Sequence, residues 1–305
     1  MPGTVVTVGN FDGVHLGHQE IVRITIDQAR ADGLEAVAFT FRPHPQSVLR
    51  PDRAPELLLT YEEKLQKLVT LGLSRVVEQK FDLIFSSTTP EQFFQNQLLG
   101  HLAARAIVVG YDFTFGKERS GHLQVLQSLC DEAGVRLTVV APRRLDQEVV
   151  SSSSIRSALR QGLVADAAKW MGAPFFYAGP VLRGDQRGRS LGFPTANLEL
   201  GSKLVLPPGV YATVSEVEGA RFASITNVGV RPTFKSASAG ILAETHLLQG
   251  SWAPDALYGK NLRVEFFERI REERKFASPE ELTSQIAEDI GRARQILGGV
   301  LNPFC

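Results

Sequence analysis

Apolar and polar positions follow two different rhythms along this chain. Over roughly the first 140 residues, short runs rich in Val, Ile and Phe alternate with stretches of helical period. "TVVTVG" (4–9), "AVAFTF" (36–41), "AIVVG" (106–110) and "RLTVVA" (136–141) read as buried strands. Between the first two, Ile21, Val22, Ile26 and Ala29 lie on one helical stripe. Another helix starts at Thr89-Pro90-Glu91-Gln92, where a capping hydroxyl, an N1 proline and a glutamine three residues on match a capping box. This alternation predicts a parallel sheet with helices on both faces.

After residue 175 the period shortens. "VYATVSEV" (210–217), "RFASITNV" (221–228), "ILAETHLL" (241–248) and "LRVEFFER" (262–269) are separated by Gly, Pro and Asn turns, as expected of an antiparallel barrel or sandwich. A last helix starts at Ser278-Pro279-Glu280-Glu281, again read as a capping box, with Leu282, Ile286 and Ile290 four residues apart. The expected class is α/β plus all-β. Domain boundaries are placed where the rhythm changes, giving 1–172 and 173–305.

A chain of 305 residues is long enough for two domains. With 33 basic and 33 acidic residues the net charge is zero, so no global field favours nucleic acid or a membrane surface, and small-molecule substrates are expected. The N-terminus does not read as a signal peptide, and no apolar run approaches the ~18 residues of a membrane helix, so the expectation is a cytoplasmic protein. Two cysteines, Cys130 and Cys305, are too few for a disulfide framework or a zinc site. Cys130 shares a helix face with Leu126 and is expected in the core.

The densest chemistry lies in "VGNFDGVHLGH" (8–18), between the first strand and first helix. In an open α/β sheet that turn is a favoured phosphate site. Gly17 allows close approach to the backbone, and His15 and His18, three apart on a first helical turn, project to one side. Paired imidazoles there can donate to phosphate oxygens as charge builds in a transition state. A turn-capping role for either histidine is the structural alternative. Neither the G-x-G-x-x-G nor the G-x-x-x-x-G-K-[ST] spacing is present.

Further along, Pro43 and Pro45 fix a turn that presents Phe41 and His44, while Asp112, Phe113 and Phe115 follow the "AIVVG" strand. A serine run (151–154) can cap a helix whose first turn carries Arg156, a residue able to grip a phosphate bidentately. In the second half, Thr195 and Asn197 are two apart in an extended stretch and share a face, where they can help hold a hydrated magnesium ion with phosphate oxygens. From residue type alone, a local turn fits those two as well, and Glu244 reads as a solvated strand carboxylate.

A family resemblance weighs these alternatives. "GNFDGVHLGH" resembles the H-x-G-H signature of nucleotidyltransferases in the form found in the FMN adenylyltransferase domain of bacterial bifunctional riboflavin kinase/FAD synthetases. "FRPHP" (41–45), "GYDFTFGKERSG" (110–121) and "SSSSIR" (151–156) follow in that domain's order, with Ser153 where threonine is usual. "GRSLGFPTAN" (188–197) is similar to the riboflavin kinase motif, followed by "PPGVYAT", "NVGVRPTF", "ETHLL", "LYGK" and "IREERKF".

The resemblance implies a Rossmann-like N-terminal domain with a parallel sheet and a riboflavin-kinase-type β-barrel with a C-terminal helix. It implies that Gly9, Asn10, Phe11, Gly17, Ser152 and Ser153 bind ATP with His15, His18 and Arg156 as catalytic groups. Phe41, His44, Pro45, Asp112, Phe113 and Phe115 would hold flavin. In the second domain it implies Gly184 to Arg189 as a flap over ATP, Thr195 and Asn197 on Mg2+ and ATP, Glu244 as general base, and Arg271, Glu273 and Phe276 beside flavin. Riboflavin, FMN, FAD and ATP are the expected partners. Gln249 and Gly250 replace a usual acidic and aromatic pair, which puts the flavin contact at that strand end in doubt. Two competing readings are a nucleotidyltransferase with another acceptor, which leaves "GFPTAN" unexplained, and a flavin-binding regulator, which needs no base.

Overall fold

The computed structural model describes residues 3–183, 192–230, 241–249 and 256–300. By contacts the chain divides into two compact units, Met1–Ser152 and Ser153–Cys305.

In the first unit, β1 (Thr4–Val8), β2 (Glu35–Arg42), β3 (Arg75–Lys80), β4 (Ala104–Gly110) and β5 (Arg136–Val140) form a parallel sheet in the order β3-β2-β1-β4-β5. Val5, Val6, Val37, Phe39, Ile107 and Val109 are fully buried, as expected of central strands with both faces covered. Strand β3 was not legible in the sequence, because "RVVEQK" carries only two apolar residues at an edge of the sheet. The order reverses direction at β1 and β4, so the crevice where ligands bind opens beyond their carboxyl ends. The histidine turn follows β1, and "YDFTF" follows β4.

The connecting helices are α1 (Leu16–Asp32), α2 (Pro45–Leu49), α3 (Tyr61–Thr70), α4 (Leu83–Ser86), α5 (Pro90–Gln92) and α6 (Leu123–Ala133). The expected Thr89 capping box is present, and the helix it starts widens into a π-helix at Phe93–His101 that buries Phe93, Phe94 and Leu98. Cys130 lies in the core, where burial pushes its thiol up to about 11. A small hairpin, β6 (Arg144–Leu145) and β7 (Glu148–Val149), precedes α7 (Ser152–Arg160) and α8 (Val164–Met171).

In the second unit, α8 packs on β8 (Phe175–Pro180) and β13 (Asn261–Glu272). With β9 (Ala196–Glu199), β10 (Gly209–Val217), β11 (Ala220–Val230) and β12 (Ile241–Leu247) these form an antiparallel sheet ordered β8-β13-β10-β11-β12-β9. A bridge between Leu182 and Asn197 joins the two edges into a nearly closed barrel.

Strand alternation divides β10 between two environments. Val210, Ala212 and Val214 face Ala223, Ile225 and Ile270, a cluster completed by Ala293 and Leu297 of α9 (Pro279–Leu297). The intervening Thr213 and Ser215 instead join a hydroxyl chain, running Ser215, Ser224, Thr213, Thr226 and Thr245, with 2.8–2.9 Å between successive oxygens. All five are buried, and each satisfies the next.

The capping box expected at Ser278 is only half formed. Its hydroxyl accepts the Glu281 N–H, but the Glu281 carboxylate accepts from Ala277 N–H, one residue before the cap. α9 is locked to β13 by Arg271, whose guanidinium meets the buried Asp289 carboxylate at 2.8 Å.

Candidate active sites

The turn after β1 is held in an unusual backbone conformation by its own side chains. Phe11, Gly13 and Val14 all have positive φ (51°, 81° and 41°), which is costly for a β-branched valine and persists only where surroundings over-determine it. Those surroundings are visible. The Phe11 ring folds back over Gly9, where an added Cβ would sit 3.2 Å from it, and its edge meets His18 with ring centroids 5.3 Å apart. Asp12 is buried; its carboxylate accepts from Leu58 N–H at 3.0 Å and its carbonyl from Ser152 Oγ at 2.9 Å. Val14 is fully buried.

His15 then caps α1, its Nδ1 accepting from His18 N–H at 3.3 Å. The capping alternative is therefore correct for His15, and it is compatible with a catalytic role because it fixes the ring. The His15 and His18 rings stack at 3.6 Å between centroids, 17° from parallel. Gly17 suits that arrangement, since a Cβ there would lie a tight 3.2 Å from the His15 ring. Burial, then the charges of His15, Lys67 and Lys64, hold His18 well below its ordinary 6.5, so it is neutral at pH 7. Its Nδ1 is buried with no hydrogen-bond partner.

The Phe41–Pro45 turn continues from β2. His44 caps α2 through Nδ1, and its own N–H donates to the Tyr61 hydroxyl at 2.9 Å. Pro45 is the first residue of that helix. Phe41 meets Phe81 and Phe85, on the rim of a core in which Phe93 contacts Phe115. Phe113 stacks on Phe115 at 5.4 Å, 16° from parallel. Phe115 is itself a core residue, 7% exposed, so of the three phenylalanines expected to hold flavin, Phe41 and Phe113 keep a partly open face, as do their neighbours Phe81 and Phe85. Asp112 is exposed, its carboxylate folded over Gly110. Asn10 and Ser153 are exposed, and Arg156 is buried four residues after Ser152 on α7.

In the barrel, strand register puts Asn197 opposite Glu244 and Glu244 opposite Asn227, three polar residues in a row across β9, β12 and β11. Asn197 is 6% exposed, whereas Glu244 is open to solvent. Thr195 immediately precedes β9 and is half-buried. Its segment is anchored from β12: His246 Nδ1 donates to the Pro194 carbonyl at 2.8 Å, and its ring meets Phe193 edge-on. Gly229 gives room to Glu273 and Asn227, whose polar atoms lie 3.0 and 3.3 Å from where its Cβ would be.

Arg271 is occupied by Asp289, and the Arg271 and Arg274 guanidinium groups lie 5.6 and 4.7 Å from the Phe276 ring centroid. Gly184, Arg189 and Gly250 lie outside the described residues, and Gln249 is exposed just past β12.

Sequence reasoning passed over Asp12, Asn227, His246 and Lys64. The signal for Asp12 was its place within "GNFDG"; for Asn227 it was the register of β11, which a single sequence does not print.

A parallel-sheet unit with a histidine turn at its switch point, followed by a barrel with a Thr, Asn and Glu site, defines a two-domain phosphoryl- and nucleotidyl-transferring enzyme. The FAD synthetase family model matches residues 1–154 and the riboflavin kinase model residues 171–297. The chain is 38% identical over 290 residues to a bifunctional riboflavin kinase/FMN adenylyltransferase of Bacillus subtilis (strain 168), covering 94% of this chain and 90% of that one. Its counterpart from Escherichia coli (strain K12) is 36% identical over 299 residues, covering 97% and 93%. A crystal structure described as a macrolide-efflux protein from Streptococcus pneumoniae superposes with a TM-score of 0.86 at 31% identity, covering 96% of this chain and 95% of that chain. Among the described residues here, no helix is long and apolar enough to cross a membrane. The chain belongs to the bifunctional riboflavin kinase/FMN adenylyltransferase family, with the FAD synthetase domain first and the riboflavin kinase domain second.

Proposed function

We propose that residues 173–305 convert riboflavin and ATP to FMN and ADP, that residues 1–172 convert FMN and a second ATP to FAD and pyrophosphate, and that named side chains carry each step. In the first step Glu244 accepts the proton of the riboflavin 5′-hydroxyl as its oxygen attacks the γ-phosphorus and ADP leaves. The row Asn197, Glu244 and Asn227 supports this, because it sets the carboxylate beside the nucleotide-binding segment. Thr195 and Asn197 offer a hydroxyl and a carboxamide oxygen, and no carboxylate. That donor set suits a magnesium ion that keeps its waters and is brought largely by nucleotide phosphates. The ion would offset charge on the transferred phosphoryl group. Gly184 and Arg189 are assigned to the flap over ATP, and Glu273 and Phe276 to the flavin border. Arg271 acts there through its hold on α9.

In the second step an FMN phosphate oxygen attacks the α-phosphorus of ATP and pyrophosphate leaves. No protein nucleophile is needed, so positioning and charge stabilisation carry the step. Stacked His15 and His18 are the donors to the phosphates, with Gly9, Asn10, Phe11 and Gly17 shaping their turn and Ser152, Ser153 and Arg156 completing the grip on ATP. The single observation that carries this reading is the fixed, neutral His18 beside His15 at the switch point. Phe41 and Phe113 offer faces to the isoalloxazine ring, with His44, Pro45 and Asp112 around it and Phe115 supporting Phe113. Reliance on ATP in both steps supports a cytoplasmic location.

Pure protein is incubated with riboflavin, ATP and magnesium, and flavins are separated by chromatography. FMN followed by FAD is expected; no conversion would sink the assignment.

A further inference from the structure

Helix α3 presents Tyr61, Lys64 and Lys67 at three-residue intervals, on one face. Each is tied to one of the two turns that border the adenylyl-transfer site. The Tyr61 hydroxyl accepts from His44 N–H, and Lys67 Nζ donates to the Gly13 carbonyl at 3.4 Å. Between them Lys64, only 4% exposed, donates from Nζ to Thr40 Oγ1 at 2.9 Å and to the Phe41 carbonyl at 3.2 Å. Thr40 Oγ1 in turn donates to the Asn10 carbonyl at 3.2 Å. One amino group therefore joins the turn that carries the histidines to the turn that carries Phe41 and His44.

Bridging two neutral oxygens does not require a charge, and a buried ammonium without a counterion is unfavourable. Among the described residues Lys64 makes no ion pair. Asp12, which accepts from Leu58 N–H, and Glu78, 3.6 Å from the Arg42 guanidinium, attract it without forming an ion pair, Arg42 repels it, and burial outweighs all three. A charge on His18 would repel it too. The Tyr61 ring lies 5.4 Å away. A closer countercharge has a natural source in the phosphates assigned to the site beside His15 and His18.

We propose that Lys64 is a positioning residue for adenylyl transfer: a buried cation that locks the phosphate turn to the flavin turn and takes the substrate phosphates as its counterion. Burial lowers its ammonium to about 8 in the free protein, so phosphate binding draws a proton back onto it. This rests on the assignment of the histidine turn to ATP.

The test measures kcat/KM for ATP in FAD formation from supplied FMN, from pH 6.5 to 9.5, using full-length protein. The wild type should lose activity above an inflection near 8. Lys64→Met should be about 10- to 100-fold weaker at pH 7, without that inflection, and Lys64→Arg should keep activity to higher pH. Riboflavin phosphorylation by the same samples should be unchanged, which controls for the protein used. If Lys64→Met folds poorly, the Lys64→Arg profile decides alone. An inflection near 8 that survives in Lys64→Arg, or an unchanged kcat/KM in a folded Lys64→Met, would overturn the proposal. His15→Ala separates the two readings. FAD formation surviving in His15→Ala removes the site assignment, while its loss there with full activity in Lys64→Met removes only the role of Lys64.

Discussion

The turn after β1 and the row across β9, β12 and β11 are both proposed to handle ATP, yet the protein holds them very differently. In the first, positive-φ residues, a buried aspartate, two stacked imidazoles and a buried lysine constrain one another, and little of the geometry is left for substrate to arrange. In the second, an exposed carboxylate sits on a strand with a buried amide beside it, and the segment before β9 is tethered by one histidine. The difference follows the chemistry. Adenylyl transfer between two phosphates lacks a base and relies on preorganised donors, whereas phosphorylation of an alcohol depends on one proton acceptor.

The sharpest way to break this comparison is to remove the base. Glu244→Gln should lower riboflavin phosphorylation by about 10²- to 10⁴-fold, while supplied FMN still becomes FAD at the wild-type rate. His15→Ala should do the reverse, lowering FAD formation by about 10²- to 10³-fold with FMN production intact. Chromatography of the two reactions in parallel reads both, and equal damage to both steps by either change would end the picture of separate sites.

A smaller effect tests whether the barrel owes its open site to rigid support from outside the row. Asp289→Ala leaves Arg271 unpaired against α9 and should destabilise the barrel by about 3 kcal/mol, read by chemical denaturation with flavin phosphorylation as the probe. FAD formation from FMN should persist where phosphorylation has been lost. Coincident loss would show one cooperative unit instead.

The smallest effect is a pH dependence. The folded-state pKa of His18 lies below 6.5, so above 6.5 the ring is neutral in both folded and unfolded chains and contributes no slope. Below 6.5 the unfolded chain takes up a proton that the folded one resists. Stability should therefore fall with falling pH, by at most about 1.4 kcal/mol per pH unit, and His18→Asn should flatten the curve measured by thermal unfolding between pH 8 and 5. A wild-type curve equally flat would contradict a buried neutral ring.

Much of the fold was legible because period and punctuation are local properties. The central strands announce themselves as apolar runs, and the Thr89 cap is read from four letters. What escaped was set by partners distant in sequence. β3 is polar because it is an edge. The candidate site residues were visible as motifs, but their division of labour was not. Phe115 supports from the core while Phe113 keeps an open face, and Arg271 serves α9, because each assignment depends on a neighbour the motif does not name.

Gly17 carries one more consequence. A side chain there would crowd the His15 ring, which lies 3.2 Å from where its Cβ would be. The two positions are therefore coupled, and His15→Ala should relieve whatever cost alanine at 17 carries, a dependence that a double-mutant cycle reads.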